Sequence, residues 1–178
     1  ELSENTIRKI DLTSNNTLTT IATGFSSPQG ITTDGTNLYV VDTYNPAIKM
    51  IDLTSNNTLT TIATNPDFTV PAGITIDGTN LYVTDMAEEK ITMIDLTNNS
   101  TTTIATSVSS PQGITTDGTN LYVTYLDYTI KKIDISNPGQ AAVTTIAGKE
   151  NEMGSVDGVG ASARFKKPTG IFGGPDSE

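Results

Sequence analysis

Apolar and polar residues in this chain fall into short runs bounded by turn chemistry, without the three-to-four spacing of an amphipathic helix. Leu38-Tyr39-Val40-Val41 is apolar at successive positions, as a strand covered on both faces should be. Asp34-Gly35-Thr36-Asn37 precedes it and reads as a tight hairpin, with Gly35 free to take a positive φ. Thr54-Ser55-Asn56-Asn57 supplies another turn, since Asn tolerates the left-handed region. The pattern predicts four strands: a at Gly30–Thr33, b at Leu38–Asp42, c at Ile48–Leu53 and d at Leu59–Ala63. Strand d is rich in Thr and poor in large apolar groups, which suits an outer edge.

The unit recurs. IDLTSNNTLTTIAT stands at Ile10–Thr23 and again at Ile51–Thr64, and SSPQGITTDGTNLYV at Ser26–Val40 and Ser109–Val123. Gly-Ile starts at Gly30, Gly73, Gly113 and Gly170 give spacings of 43, 40 and 57 residues. Short antiparallel strands repeated at this period predict an all-β chain, a β-propeller of four-stranded antiparallel blades. Residues 30–72, 73–112 and 113–169 are the three complete blades, with partial blades at both ends. Residues 1–29 hold strands c and d of one, because Ile7-Arg8-Lys9-Ile10-Asp11 matches Ile48–Asp52 and Glu1 aligns within a b–c loop. Residues 170–178 begin another, with Gly170-Ile171-Phe172-Gly173-Gly174 as its strand a.

Three blades do not close a ring, and open blade faces expose apolar surface that soluble monomers rarely carry. The expectation is a segment of a longer propeller, or a homo-oligomer in which two chains complete each other. The Gly-rich stretch Lys149–Pro168 reads as a long d–a connection whose Phe165 packs back on the core. It lacks the Gly-Lys-Ser/Thr pattern of a phosphate loop.

Ten basic against 20 acidic residues give a net charge of −10, which opposes nucleic acid as a partner. No apolar stretch is long enough for membrane insertion. Cys and His are both absent, removing thiolate sites, disulfides and the commonest general base and transition-metal ligand. Abundant Thr, Asn and Asp without Cys suits an extracellular or cell-surface bacterial protein. Asn-x-Ser/Thr sequons at Asn15, Asn56, Asn98 and Asn99 fall in or beside c–d turns, where turn chemistry alone accounts for them.

Asp34, Asp77 and Asp117 open the a–b hairpins, and Asp11, Asp52, Asp95 and Asp134 close strand c. Recurrence in every unit marks these as acceptors for nearby backbone N–H groups. Asp42 and Asp85 end their b strands beside the loops to strand c, where hydrogen-bonded structural carboxylates and oxygen ligands for Ca²⁺ are the alternatives. The a–b turns are invariant, whereas the b–c loops diverge: Thr43–Pro46, Met86–Glu89 and Leu126–Thr129. The d–a connections diverge too, and in a propeller both open on one face. Loops on a rigid scaffold carry binding groups, and Tyr and acidic side chains stack on or hydrogen-bond to ligands. Unconstrained loop drift gives the same pattern. The candidate ligand-binding residues are Asp42, Tyr44, Asn45, Asp85, Glu88, Glu89, Tyr125, Asp127 and Tyr128; no catalytic or metal-ligating set is assigned.

Pro28, Gly30, Ile31, Asp34, Gly35, Leu38, Tyr39, Val40, Asp42, Ile48, Ile51 and Asp52 form a pattern that resembles the NHL repeat. The second unit carries it from Gly73 to Asp95; the third has Tyr125 where the others have Asp. Leu81–Asp85 is also similar to surface-layer YVTN-type propellers. The NHL resemblance implies propellers of about six blades that serve as interaction platforms, with some catalytic relatives. It points to a non-catalytic binding or scaffold module for a protein, glycan or small ligand, without a resident cofactor. The alternative is part of a lactonase- or lyase-like propeller enzyme whose catalytic residues lie outside this segment. The expected far-UV circular dichroism is that of a β protein, and substantial helix would refute the strand reading.

Overall fold

The computed structural model describes residues 5–64, 66–137 and 141–173. Residues 1–4 of the expected first loop, Asn65 of a d–a connection, and 174–178 of the expected last strand and tail lie outside the described residues. β1 (Ile7–Asp11) and β2 (Thr17–Ala22) form a two-stranded antiparallel hairpin. Three antiparallel sheets follow, each strand paired to the next in sequence. The first holds β3 (Pro28–Thr33), β4 (Asn37–Asp42), β5 (Ala47–Asp52) and β6 (Thr58–Thr64). The second holds β7 (Pro71–Ile76), β8 (Asn80–Asp85), β9 (Lys90–Asp95) and β10 (Thr101–Ala105). The third holds β11 (Pro111–Thr116), β12 (Asn120–Tyr125), β13 (Thr129–Asp134) and β14 (Val143–Gly148). The only helix among the described residues is a 3-10 turn at Gly160–Ser162. These are four-stranded blades of a partial β-propeller.

Each inner strand starts at a proline, two residues ahead of the expected Gly, because a bulge lies between. Pro28 pairs with Asp42 and Ile31 with Val40, so Gln29 and Gly30 together face Val41. Register shifts repeat at Pro71/Ile74 and Pro111/Ile114. Bulges bend a strand and re-aim its backbone. Here the bulge brings neighbouring inner strands together: a Cβ on Gly30 would stand 2.5 Å from the Ala72 carbonyl oxygen. Gly73 meets the Gln112 carbonyl and Gly113 the Thr169 carbonyl in the same way. Thr84 Oγ1 accepts from Gly73 N–H at 2.8 Å and donates to the Gln112 carbonyl at 2.7 Å, locking bulge to next blade.

Strand d is an edge strand in each four-stranded sheet, and its exposed residues are mostly threonines, joined by Leu59, Val143 and Ile146. Between blades the faces interlock: Tyr39, Val41 and Ile48 of one pack on Ile74, Leu81 and Val83 of the next. Residues Gly170–Gly173, expected as a further strand a, have no paired strand among the described residues. Their backbone nonetheless takes the inner-strand place, since Ile171 N stands by Gly113 as Ile74 N stands by Gly30. The third b–c loop is one residue shorter than expected, Thr129 being the first residue of β13. In the Lys149–Pro168 connection, Val156 bridges Arg164, and the guanidinium donates to the Ala161 and Ala163 carbonyls. Phe165 lies half-buried against Gly148.

The bulge glycines and the hairpin glycines make different demands. Gly35 has a φ of +94° and open space around it. Gly73→Ala should cost about 1–3 kcal/mol through overpacking of the blade contact, and Gly35→Ala about 1 kcal/mol through backbone strain. Urea melts of the two variants check this; an unchanged midpoint for Gly73→Ala would refute the close approach as the spacing constraint.

Candidate functional site

The b–c loops and d–a connections share one face and are hydrogen-bonded together. Tyr44 N–H donates to the Ser26 carbonyl at 3.0 Å, Met86 N–H to Val70 at 3.0 Å and Leu126 N–H to Ser110 at 3.3 Å. Val108 N–H to the Glu89 carbonyl at 3.1 Å and Asn151 N–H to that of Asp127 at 2.9 Å tie the second and third loops to the following connections. The a–b and c–d turns close the opposite face, where Leu53 N–H donates to Thr36 at 2.9 Å and Leu96 N–H to Thr79 at 3.1 Å.

The nine candidates separate into a buried layer and a reachable one. Asp42 is buried: it accepts from Ser26 N–H at 2.5 Å and Asn45 Nδ2 at 3.2 Å, and pairs with Lys49 Nζ at 2.7 Å. Asp85, also buried, accepts backbone N–H bonds from Thr69 at 2.6 Å, Val70 at 3.2 Å, Ala87 at 3.0 Å and Glu88 at 3.0 Å. Tyr125 fills the equivalent position of the third blade, fully buried, and its hydroxyl has no hydrogen-bond partner. Burial and the nearby Asp127 raise its pKa above that of an ordinary tyrosine. Asp127 is buried as well, bonded to Thr129 N–H at 3.0 Å and Lys131 Nζ at 3.2 Å. Tyr44, Asn45, Glu88 and Glu89 are exposed, Tyr44 to 75%, and Tyr128 is half-buried. Glu88 accepts from the Thr69 hydroxyl at 2.6 Å, which holds its carboxylate at the rim. No group of three or more acidic side chains among the described residues is placed to hold a metal ion.

Sequence reasoning missed the cations beneath this layer. Lys49 Nζ also donates to the Gly24 carbonyl at 2.7 Å and lies 4.9 Å from the Phe25 ring centre. Lys131 bonds Glu150 at 2.7 Å; burial lowers its pKa, but Glu150 and Asp127 outweigh that and raise it. The signal was available: both lysines occupy the third position of strand c, where the second blade has Thr92.

On the opposite face the recurring Asp residues behave as expected. Asp34 Oδ1 accepts from Asn37 N–H at 2.6 Å and Thr36 N–H at 2.8 Å, and Oδ2 from the Tyr39 hydroxyl at 2.9 Å. Desolvation pushes this carboxyl up, but the bonds from Asn37, Thr36 and Tyr39 outweigh it and hold it well below the usual range. Desolvation and the bond to Asp34 push Tyr39 up to about 12. Asp77 and Asp117 repeat the arrangement with Tyr82 and Tyr122.

No family model matches the chain, and no curated protein matches it in sequence. Solved structures do match in shape. An auxiliary nutrient binding protein from Bacteroides thetaiotaomicron VPI-5482 gives a TM-score of 0.76 at 18% identity, over 92% of this chain and 42% of its own. One from Bacteroides ovatus ATCC 8483 gives 0.77 at 18% identity, over 90% and 41%. Streptogramin B lyase gives 0.66 at 18% identity, over 80% and 48%. The chain therefore spans less than half the length of these structures, and at such identities the likeness is one of propeller fold.

Two outcomes follow. Lys49→Met strands the buried Asp42 carboxylate and should cost about 3–5 kcal/mol of stability, read from denaturant midpoints. The depressed pKa values of Asp34, Asp77 and Asp117 contribute stability present above the unfolded carboxylate value and lost as pH falls through the folded ones. Melting temperature should therefore fall on acidification below about pH 4, and Tyr39→Phe should lower it at neutral pH.

Proposed function

We propose that this chain is a binding module built of NHL-type repeats, presenting its b–c and d–a loop face to a protein, glycan or small ligand. The carrying observation is that sequence variation between repeats gathers on one face whose backbone is cross-tied, over side chains already committed to the fold. Tyr44, Asn45, Glu88, Glu89 and Tyr128 form the reachable layer; Asp42, Asp85, Tyr125 and Asp127 support it from beneath. The likeness to two auxiliary nutrient binding proteins, and to a structure of the nidogen/laminin complex (TM-score 0.68, 20% identity, 80% of this chain and 59% of that one), supports a propeller used for binding.

In this reading residues 30–72, 73–112 and 113–169 are blades of a larger ring in an extracellular or cell-surface bacterial protein. The net charge of −10 opposes nucleic acid as a ligand. No helix among the described residues is long and apolar enough to cross a membrane. Streptogramin B lyase supports a second reading, a segment of a propeller enzyme with its catalytic residues elsewhere.

Glycan and protein arrays probed with the chain test the first reading. A saturable ligand is expected, weakened about tenfold by Tyr44→Ala or by Glu88→Gln with Glu89→Gln, at unchanged melting temperature. No array ligand together with turnover of a small substrate by the purified chain would overturn it.

A further inference from the structure

Strand c carries a cation at one place in every unit except the second. Arg8, Lys49 and Lys131 stand there, and the second blade has Thr92. Register fixes what a side chain at that place meets. Lys49 pairs with Val40, two residues before Asp42 and on the same face of β4. Its Nζ crosses to Asp42 at 2.7 Å and to the Gly24 carbonyl at 2.7 Å, 4.9 Å from the Phe25 ring centre. Thr92 pairs with Val83, two residues before Asp85, so its hydroxyl projects on the face that holds Asp85. It ends where the lysine stem would continue. Thr92 is 3% exposed and its Oγ1 has no hydrogen-bond partner, which a buried hydroxyl ordinarily finds.

The charge above Thr92 is uncompensated too. Among the described residues, Asp67, Asp85, Glu88 and Glu89 form no ion pair, whereas Asp42, Asp127 and Glu150 in the other blades each pair with a lysine. Asp85 is held by backbone N–H groups alone, which carry no net charge. A buried carboxylate without a counter-charge is costly, and rim carboxylates deepen the negative potential around it. We infer that the second blade takes the primary ammonium group of a ligand at the place that Lys49 Nζ fills in the first. Transposed by the repeat, its acceptors are Asp85 and the Asp67 carbonyl, with Phe68 in the position of Phe25, and the Thr92 hydroxyl accepts a further N–H from below. Such charge-assisted bonds are the strong ones. Glu88, whose N–H bonds Asp85 and whose carboxylate reaches Thr69, stands at the entrance with exposed Glu89. One buried carboxylate matches one positive charge, and no acidic group of three is placed there for a divalent metal. A lysine side chain of a protein partner and a free alkylamine share this head group. The inference rests on the reading of this face as a binding surface and names the ligand chemistry of its second-blade sector.

The test is a titration of the 178-residue chain with n-butylammonium chloride and with the capped tripeptide Gly-Lys-Gly, at constant ionic strength, followed by amide chemical shifts. Saturable shifts are expected at Thr69, Val70, Ala87, Glu88 and Thr92. Tetramethylammonium, equally charged but without an N–H, should produce none of them. Tighter binding of the tripeptide assigns the seat to a partner's lysine, and equal binding to a free amine; both sustain the ammonium seat. Thr92→Lys places an ammonium there from within the chain, as Lys49 does, and should abolish the shifts. Thr92→Val keeps the shape, removes the hydroxyl and should weaken binding about fivefold. Three results overturn the inference: no saturable shift; the same shifts with tetramethylammonium, which marks general screening of an acidic surface; or undiminished binding by a folded Thr92→Lys variant. The comparison of cations needs no altered protein, so it decides the matter even if Thr92→Lys fails to fold. An array ligand weakened by Tyr44→Ala, with no response to either amine, refutes this inference alone and leaves the binding reading standing.

Discussion

How near one inner strand can stand to the next governs the rest of this disc. The bulges at Gly30, Gly73 and Gly113 turn the backbone toward the following blade, and glycine lets a carbonyl approach where any Cβ would collide. Only at that separation do Tyr39 and Val41 reach between Ile74, Leu81 and Val83. The burial that holds blades together, proportional to the apolar area removed from water, thus depends on the absence of a few side chains at the centre. Further out the sheets splay, contacts thin, and strand d carries threonine without penalty.

The loop face shows one backbone task solved in three ways. The turn into strand c must be held against the connection arriving from strand d. The first blade does this with Asp42 and a buried lysine, the second with Asp85 and backbone donors alone, the third with Tyr125 below and Asp127 paired to Lys131. Since the buried carboxyl takes up the donors of its own loop, side chains two to four positions further on are released from structural duty. Tyr44 and Glu89 owe their exposure to Asp42 and Asp85 beneath them.

Much of this was legible in the sequence because strands, turns and period are local properties. Asp-Gly-Thr-Asn before Leu-Tyr-Val announces a hairpin wherever it stands, and all three hairpins form there. The bulges were not legible, since an extra residue such as Gln29 leaves the β character of the run unchanged. Burial of Asp42 and Asp85 was hidden for another reason: their donors at Ser26 and Thr69 lie 16 residues away and arrive only when the connection folds back. Tyr125 stood out as a substitution for Asp, but its descent into the core follows from packing in the cluster shared with the preceding blade, which no spacing rule reports. Lys49 and Lys131 drew no reading from the sequence, since a lysine's usual place is solvent.

Near-identity between repeats also bears on how the chain finds its pairings. The segment Ile10–Thr23 is identical to Ile51–Thr64, so β4 meets two almost equivalent outer hairpins during folding, and the β3–β4 sequence is nearly interchangeable with β11–β12. The correct and incorrect partners offer almost the same contacts, and energy alone discriminates poorly between them. What separates them is closure entropy: β5 is reached through four residues, Thr43 to Pro46, while a distant copy requires a far larger loop. The short b–c loops, free to vary in composition, are therefore constrained in length, and it is their brevity that keeps a repetitive chain in register as it collapses.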